Sequence, residues 1–320
     1  MVSLQLVQQS NARIASLPKG LVALFIGATS GIGQSTLQHF AQHAPSPLIY
    51  SVARPATVAS HQSFLASLHQ SRPQGSYEVI TADVSLVSEI DKVVDAITEK
   101  ETKLDILFMS PGFMAFDGRK NTLEGLDPSM TTRYYSRLRA VQQLLPLLNN
   151  AAAPRIVSVL GGGIERPLYE DDLDLRDESH WSMWTSAFHP ATMGTLALEI
   201  LARENPQLSI IHWFPGPVST PGLAKAREYG MVPPNQMALE EAGKRGAFLV
   251  TSERYAVGGS EAVQKSGGGI FLIDPLGEST DNEVLLADLR IRGVDQKVWK
   301  FTLDIFDECE VRAKRDKDEL

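Results

Sequence analysis

A glycine-rich turn between an apolar run and a helical segment constrains the fold of this 320-residue chain more than any other feature. The apolar run spans residues 21–26 and is short enough for a strand buried in a parallel sheet. Glycines follow, and a second apolar run, residues 47–54, begins at the distance typical of a β-α-β unit. We therefore expect an α/β fold: a Rossmann-like, doubly wound parallel sheet with helices on both faces.

The turn also has the chemistry of a phosphate site. A strand that leads directly into a helix presents free backbone N–H groups at the positive end of the helix dipole, where a pyrophosphate binds well. In such a turn one glycine makes the bend, another lets the phosphate approach, and a third lets the helix pack on the strand. The candidate cofactor-binding residues here are Gly27, Thr29, Ser30, Gly31, Ile32 and Gly33.

Further landmarks follow in the order that the short-chain dehydrogenase/reductase family has them. The glycine spacing matches the family's T-G-x-x-x-G-x-G signature except at the threonine, and Asp83 stands where the family's aspartate caps the adenine ring. Residues 109–112 occupy the slot of its N-N-A-G motif, and residues 215–216 match its P-G motif. The chain resembles the family over about residues 20–220. The resemblance adds further cofactor-binding candidates, namely Ser110, Gly112, Pro215, Gly216 and Thr220.

The residue after the second predicted strand indicates which dinucleotide is bound. An acidic residue there hydrogen-bonds the adenosine ribose of NAD, whereas a basic residue favours the 2'-phosphate of NADP. This strand ends at Arg54, so we expect NADP(H) as the cofactor. The alternative for Arg54 is a solvated loop arginine.

The resemblance does not extend to the catalytic residues. Active members of the family use a serine to bind the substrate oxygen, a tyrosine to transfer a proton, a lysine to lower the tyrosine pKa, and an asparagine to maintain a water relay. Alignment through neighbouring motifs puts Gly161, Ala187, Ala191 and Arg133 at these positions, and no Tyr-x-x-x-Lys occurs anywhere in the sequence. Ser158 is expected to point to the opposite face of its strand. Carbonyl reduction through a Tyr–Lys pair is therefore not expected.

Three functions remain open. Hydride transfer to an iminium ion needs only positioning and electrostatic help, because the substrate already carries the charge that protonation would supply. A non-redox cyclase or isomerase that orders a reactive substrate needs no proton donor either. The third function is that of a catalytically inactive cofactor-sensing or partner-binding module.

One subgroup of the family has a similar set of substitutions. It comprises fungal secondary-metabolism proteins that have lost the four catalytic residues, among them NADPH-dependent reductases that double as Diels–Alderases in indole alkaloid pathways. The glycine at the serine position and the alanines at the tyrosine and lysine positions carry this comparison. We therefore expect an enzyme that acts on a bulky, preactivated substrate.

Charged residues near the predicted carboxyl ends of the strands are candidates for the missing chemistry. Glu165 and Asp171 follow a strand at the edge where open α/β sheets bind ligands, and they are candidates to hold a cationic substrate or to act as a base. Arg133 is a candidate to polarise or repel the substrate. The alternative for each is a solvated or ion-paired side chain. His189 is turned away from Ala187 and Ala191, so we expect it to serve packing.

Composition favours a small-molecule substrate as the partner. The formal net charge is −8 and the basic residues are scattered, which argues against nucleic acid or an anionic membrane. No apolar run approaches the ~18 residues of a membrane span, and no His and Cys cluster has metal-ligand spacing. With a single cysteine and no signal-peptide pattern, we expect a cytoplasmic protein and interpret the final Lys-Asp-Glu-Leu as coincidental.

The whole chain, residues 1–320, is expected to form one domain. Its cofactor-binding core spans about residues 20–220. Residues 217–265, which contain several glycines and prolines, are predicted to form a substrate lid, and residues 290–320 a C-terminal helix. A homo-oligomer is compatible with the sequence.

Overall fold

The computed structural model describes residues 1–260 and 262–318, with side chains described as far as Arg312. The strands are β1 (Val22–Ile26), β2 (Leu48–Ala53), β3 (Ser76–Thr81), β4 (Ile106–Met109), β5 (Arg155–Val159), β6 (Ser209–Trp213) and β7 (Phe271–Ile273). All neighbours pair in parallel, in the order β3-β2-β1-β4-β5-β6-β7. The expected doubly wound sheet is confirmed.

Helices connect the strands and flank the sheet. They are α1 (Leu4–Ala12), α2 (Gly31–His43), α3 (Pro55–Ser71), α4 (Ser88–Thr98), α5 (Pro128–Met130), α6 (Ser136–Asn149), α7 (Thr185–Glu204), α8 (Pro221–Ala226), α9 (Leu239–Thr251), α10 (Glu283–Ile291) and α11 (Val294–Asp318). A π-helical turn, Thr131–Tyr135, joins α5 to α6.

Two hydrophobic cores lie on opposite faces of the sheet. Alternation along β1 sends Val22, Leu24 and Ile26 into the core beneath α4, α6 and α7, and Ala23 and Phe25 into the core beneath α2, α3 and α9. Every residue of β1 is buried, which is why this strand reads as one continuous apolar run. The chain crosses from one half of the sheet to the other between β3 and β4, so the ends of β1 and β4 border a ligand-binding crevice.

The predicted lid range is divided by the structure. Helix α9 lies within residues 217–265, yet it packs tightly against α2 as part of the core. The close contact depends on Gly243 and Gly246, where an added Cβ would come 2.0 Å from Ser35 Oγ and 2.1 Å from Thr36 Oγ1. The segment before α9, residues 217–238, stays a predicted lid.

The predicted C-terminal helix is present as α11, which packs against α7 and α4. Arg139 of α6 donates a hydrogen bond to Glu310 of α11 at 2.6 Å. The terminal Lys-Asp-Glu-Leu sequence ends outside the described residues. Among the helices that are described, none combines the length and the apolar character needed to cross a membrane.

Candidate cofactor and active site

The glycine turn joins β1 to α2 by a very close approach to the end of β4. Gly27 has φ +89°, and a Cβ there would lie 2.4 Å from the Pro111 nitrogen. A Cβ at Gly33 would lie 2.4 Å from the Gly27 carbonyl oxygen and equally close to Ser110 Oγ, which donates a hydrogen bond to that carbonyl. The N-terminus of α2 therefore opens directly onto the crevice, with free N–H groups in its first turn.

A cavity of about 630 Å³ extends along this crevice. One end, the β2–β3 end, is lined by Val52, Arg54, Ala82 and Asp83. The other, the β4–β6 end, is lined by residues that follow β4, β5 and β6 and includes Phe113, Leu160 and Lys225. Eleven of the thirteen predicted cofactor-binding residues line the cavity: Gly27, Thr29, Ser30, Gly31, Ile32, Arg54, Asp83, Ser110, Gly112, Pro215 and Thr220.

The two remaining residues support the wall without lining it. Gly33 provides the close packing of α2 on the turn. Gly216 has φ +66° and lies beside Pro275, so it shapes the bend after β6. Both therefore act on the backbone path.

The charge of the cavity wall is opposite in sign to that of the whole chain. Its described lining contains three cationic side chains, Arg54, Lys225 and Arg137, and one carboxylate, Asp83. Asp83 also accepts a hydrogen bond from the Ser85 backbone N–H at 3.0 Å. Since the chain has a net charge of −8, this concentration of positive charge suits a ligand with several phosphates.

Gly161 and Ala191, the residues expected at the family's serine and lysine positions, pack against each other. A Cβ added at Gly161 would lie 2.8 Å from the Ala191 Cβ, closer than two such carbons normally come. Ala191 is buried, whereas Ala187 is only half-buried. The space that a serine side chain would need is therefore occupied by the methyl group of Ala191.

Two buried imidazoles near these positions have structural roles. His212 accepts a hydrogen bond from the Gly161 N–H at 3.1 Å, and burial lowers its pKa to about 3. His189 lies 3.2 Å from the Leu173 carbonyl oxygen, and burial lowers its pKa to about 4. Both are neutral near pH 7, and the packing role expected of His189 agrees with its position.

Arg133 lies behind the cavity wall. It is in the π-helical turn, 8% exposed, and it donates a hydrogen bond to the Phe113 carbonyl oxygen. Burial lowers its pKa to about 10, and the nearby Asp127 carboxylate acts in the opposite direction. Arg133 thus shapes the loop that carries Gly112 and Phe113, and it is not among the residues that line the cavity.

Sequence reasoning missed Arg137, one helical turn later. This side chain lines the cavity and is 2% exposed. It donates to Ser158 Oγ and to the Val159 carbonyl oxygen, both at 2.9 Å, and also to the Pro111 carbonyl oxygen. The available signal was its i, i+4 spacing from Arg133, which puts both arginines on one helix face.

The structure places the two candidate carboxylates away from the cavity. Glu165 is 3% exposed and accepts hydrogen bonds from the Gly163 N–H, Thr195 Oγ1 and Asn282 Nδ2. It therefore ties the end of β5 to α7 and to the segment before α10. Asp171 is fully exposed and lies 3.3 Å from Lys297 of α11. The loop carries Asp171 into solvent, and Asp171 does not line the cavity. Its role in substrate binding stays a prediction.

Replacing Glu165 by alanine is expected to destabilise the fold by about 2–3 kcal/mol, because one buried donor and two partly buried donors lose an acceptor. The dissociation constant of the cofactor should change by less than about twofold, since Glu165 does not line the cavity. Asp171→Ala is the matched control and should cost less than about 0.5 kcal/mol. Urea unfolding together with calorimetric titration checks both variants. A catalytic carboxylate at position 165 would instead show loss of activity with stability preserved.

Comparison with known proteins agrees with this architecture. A family model described as short chain dehydrogenase matches residues 21–167. The chain is 63% identical to the NmrA-like family domain-containing oxidoreductase notO of Aspergillus sp. (strain MF297-2), over 100% of both chains. It is 36% identical to oxidoreductase AN1596 of Emericella nidulans, over 97% of this chain and 99% of that one.

The fold is also similar to that of solved structures. The crystal structure of NADPH-bound carbonyl reductase from chicken fatty liver has a TM-score of 0.57 at 20% identity, covering 83% of this chain and 100% of that one. That likeness concerns the sheet and its flanking helices. The family match and the full-length relatives named as oxidoreductases show that the chain belongs to the short-chain dehydrogenase/reductase family.

Proposed function

We propose that the protein is an NADP(H)-dependent oxidoreductase that transfers hydride to a bulky, preactivated substrate without a Tyr–Lys pair. The observation that carries the proposal is the continuous cavity of about 630 Å³. It extends from the glycine turn to Arg54 at one end and to Gly112 and Lys225 at the other. The full-length relatives named as oxidoreductases support the same activity.

The cavity wall fits a phosphorylated dinucleotide. The N–H groups at the start of α2 face the centre of the cavity, where a pyrophosphate would be held. Arg54 is exposed at the β2–β3 end, in position for a 2'-phosphate, and Asp83 lies at the same end for the adenine. Solved structures of similar fold that contain NADP or NADPH support this choice of cofactor.

When bound, NADPH supplies a hydride at its nicotinamide ring. The chain's own residues then orient the acceptor at the β4–β6 end. None of Gly161, Ala187 and Ala191 carries a proton donor, so the acceptor must be electron-poor before the hydride arrives. An iminium ion or a conjugated carbonyl satisfies this condition.

Aromatic side chains support a bulky, apolar substrate. Phe113 lines the β4–β6 end and is 46% exposed. Phe116, three residues further along the same loop, stacks on Tyr229 of the lid with ring centroids 3.8 Å apart. This contact connects the loop after β4 to the lid after β6. A large flat substrate would pack well against such a surface.

Incubation with NADPH and candidate bulky enones, iminium salts and dienes tests the proposal. Oxidation of NADPH with matching product formation supports it. Product formation without NADPH oxidation would replace it with a non-redox cyclase or isomerase of the Diels–Alderase type. Tight NADPH binding with no turnover of any candidate would replace it with a cofactor-sensing or partner-binding module.

Arg54→Ala is expected to weaken NADPH binding about tenfold to a hundredfold, because a charge-assisted contact to the 2'-phosphate is lost. Binding of NADH, which lacks this phosphate, should change by less than about twofold. Isothermal titration with both cofactors measures the two effects, and Arg72→Ala, which removes another arginine outside the cavity lining, is the control. Equal weakening of NADPH and NADH would contradict the assignment of Arg54.

A further inference from the structure

Arg137 carries a buried positive charge beside the cavity. Its Nε donates to the Thr132 carbonyl oxygen at 3.1 Å, and its two terminal nitrogens donate to backbone carbonyls and to the Ser158 hydroxyl. All of these acceptors are uncharged. Within the described part of the chain, no carboxylate hydrogen-bonds to Arg137.

Neighbouring groups leave that charge unbalanced. Arg133 is a nearby cation, and the Asp127 carboxylate acts electrostatically on Arg133 in turn. His212 is close enough for Arg137 to lower its pKa further, and it is neutral. Burial and the charge of Arg133 lower the pKa of Arg137 to about 9, so its guanidinium remains a cation near pH 7. With Lys225 at the same end of the cavity, the groups around Arg137 therefore leave a net positive charge there.

The hydrogen bonds also locate this charge along the cavity. Met109 and Pro111 lie at the end of β4, and Ser158 and Val159 lie at the end of β5, so Arg137 is beneath the β4–β6 end. In a doubly wound sheet with the adenosine over β2 and β3, the nicotinamide ring lies over this other half. Arg137 is thus on the ring's side of the site, while Arg54 is on the phosphate's side.

We propose that the unbalanced charge of Arg137 makes this site select NADPH over NADP⁺, and makes it select an uncharged hydride acceptor over a cationic one. The inference rests on the proposed function, because it requires a nicotinamide at the β4–β6 end. The two cofactor forms carry the same phosphates and differ by the positive charge of the oxidised ring. A fixed cation nearby disfavours that ring, and it disfavours an iminium substrate for the same reason.

The substrate class follows from this selection. Of the two acceptors considered above, the conjugated carbonyl is uncharged and becomes negative as it reacts. Hydride from NADPH bonds to its β-carbon, the carbon–carbon π electrons move to form an enolate, and the α-carbon then takes a proton from water. The products are the saturated carbonyl compound and NADP⁺, and Arg137 stabilises the enolate electrostatically.

Calorimetric titration of the full chain with NADPH and with NADP⁺ tests the inference. Two unit charges ~10 Å apart at an effective dielectric constant of ~20 change an equilibrium about tenfold, so wild type should bind NADP⁺ about tenfold more weakly than NADPH. Arg137→Gln should bring the two dissociation constants to within about threefold of each other. Arg54→Ala, the matched control, should weaken both forms equally and leave their ratio unchanged.

Each outcome bears on a separate claim. If neither cofactor form binds to wild type, the proposed function itself fails. If both bind and Arg137→Gln keeps the wild-type ratio, the charge of Arg137 is irrelevant and the inference is overturned. Should Arg137→Gln fail to fold by circular dichroism, the wild-type ratio decides: NADP⁺ binding as tightly as NADPH overturns the inference.

Discussion

Gly27→Ala is expected to abolish measurable NADPH binding and to destabilise the fold by roughly 3 kcal/mol or more. Two effects add at this position. The backbone has φ +89°, which disfavours any residue with a Cβ, and that Cβ would lie 2.4 Å from the Pro111 nitrogen and 2.6 Å from the Ser110 carbonyl carbon. Both atoms are backbone, so no side chain can rotate away to relieve the contact. Either β1 and β4 separate or the turn moves out of the cavity.

Gly230→Ala is the control that separates the cost of the positive φ from the cost of the steric contact. Gly230 has φ +77° in the lid, and an added Cβ would meet nothing within 4 Å. The free energy of unfolding of this variant should therefore fall by only about 1 kcal/mol, the cost of placing a residue with a Cβ in this backbone conformation. Urea unfolding measures both stabilities, and calorimetry measures NADPH binding. A Gly27→Ala protein no less stable than Gly230→Ala would show that the close approach of β1 and β4 is absent in solution.

Gly161→Ala is expected to destabilise the protein by about 1–3 kcal/mol, and Ala191→Gly should partly restore it. The reason is steric, since the new Cβ would lie 2.8 Å from the Ala191 Cβ and 3.4 Å from Ile164 Cγ1. Ala191→Gly removes the closer of these contacts. By itself it should cost about 1 kcal/mol, because glycine is a poor helix former.

The informative quantity is the coupling in the double-mutant cycle. If the two positions are in contact, the effects of the single variants should not add. The double variant should then be more stable, by about 1 kcal/mol or more, than the sum of the two single effects predicts. Ala187→Gly provides the control, since it is a helix position with the same chemistry and Gly161 makes no contact with it. Strict additivity with Ala191→Gly would mean that an open space remains at the former serine position.

The same contact would also oppose the introduction of a serine at position 161 or a lysine at position 191 as a single substitution. A serine at position 161 would collide with Ala191, and a lysine at position 191 would place a charge at a site that is 1% exposed. Gly161 and Ala191 thus belong to closely packed structure in this chain. The described charged side chains at this end of the cavity are Lys225 and, on α6, Arg137.

The cofactor half of the site was predictable because its determinants are local. The spacing of Gly27, Gly31 and Gly33 between a strand and a helix dictates the turn, and residues that end parallel strands meet at one edge of the sheet. Arg54 could be placed in the same way from the end of the second predicted strand, whereas Asp83 and Ser110 came from the resemblance to the family. The structure brings them to one cavity.

The charged residues were less predictable because their roles depend on distant partners. Glu165 and Asp171 stand six positions apart in the same loop, yet one is buried and the other is fully exposed. The difference in exposure arises because Asn282 hydrogen-bonds to Glu165, whereas solvent surrounds Asp171. The i, i+4 spacing of Arg133 and Arg137 puts both on one helix face. Only the packing of the ends of β4 and β5 shows that Arg137, and not Arg133, lines the cavity.

By itself, then, the sequence determined the doubly wound fold, the cofactor turn and the absence of the Tyr–Lys pair. Each of these is a matter of residue type at a fixed spacing along one strand or helix. The tertiary structure alone decided that α9 is core, that Ala191 fills the place of the serine side chain, and that a lone guanidinium faces the β4–β6 end. Those outcomes depend on desolvation and on contacts between segments far apart in the chain, which no local spacing encodes.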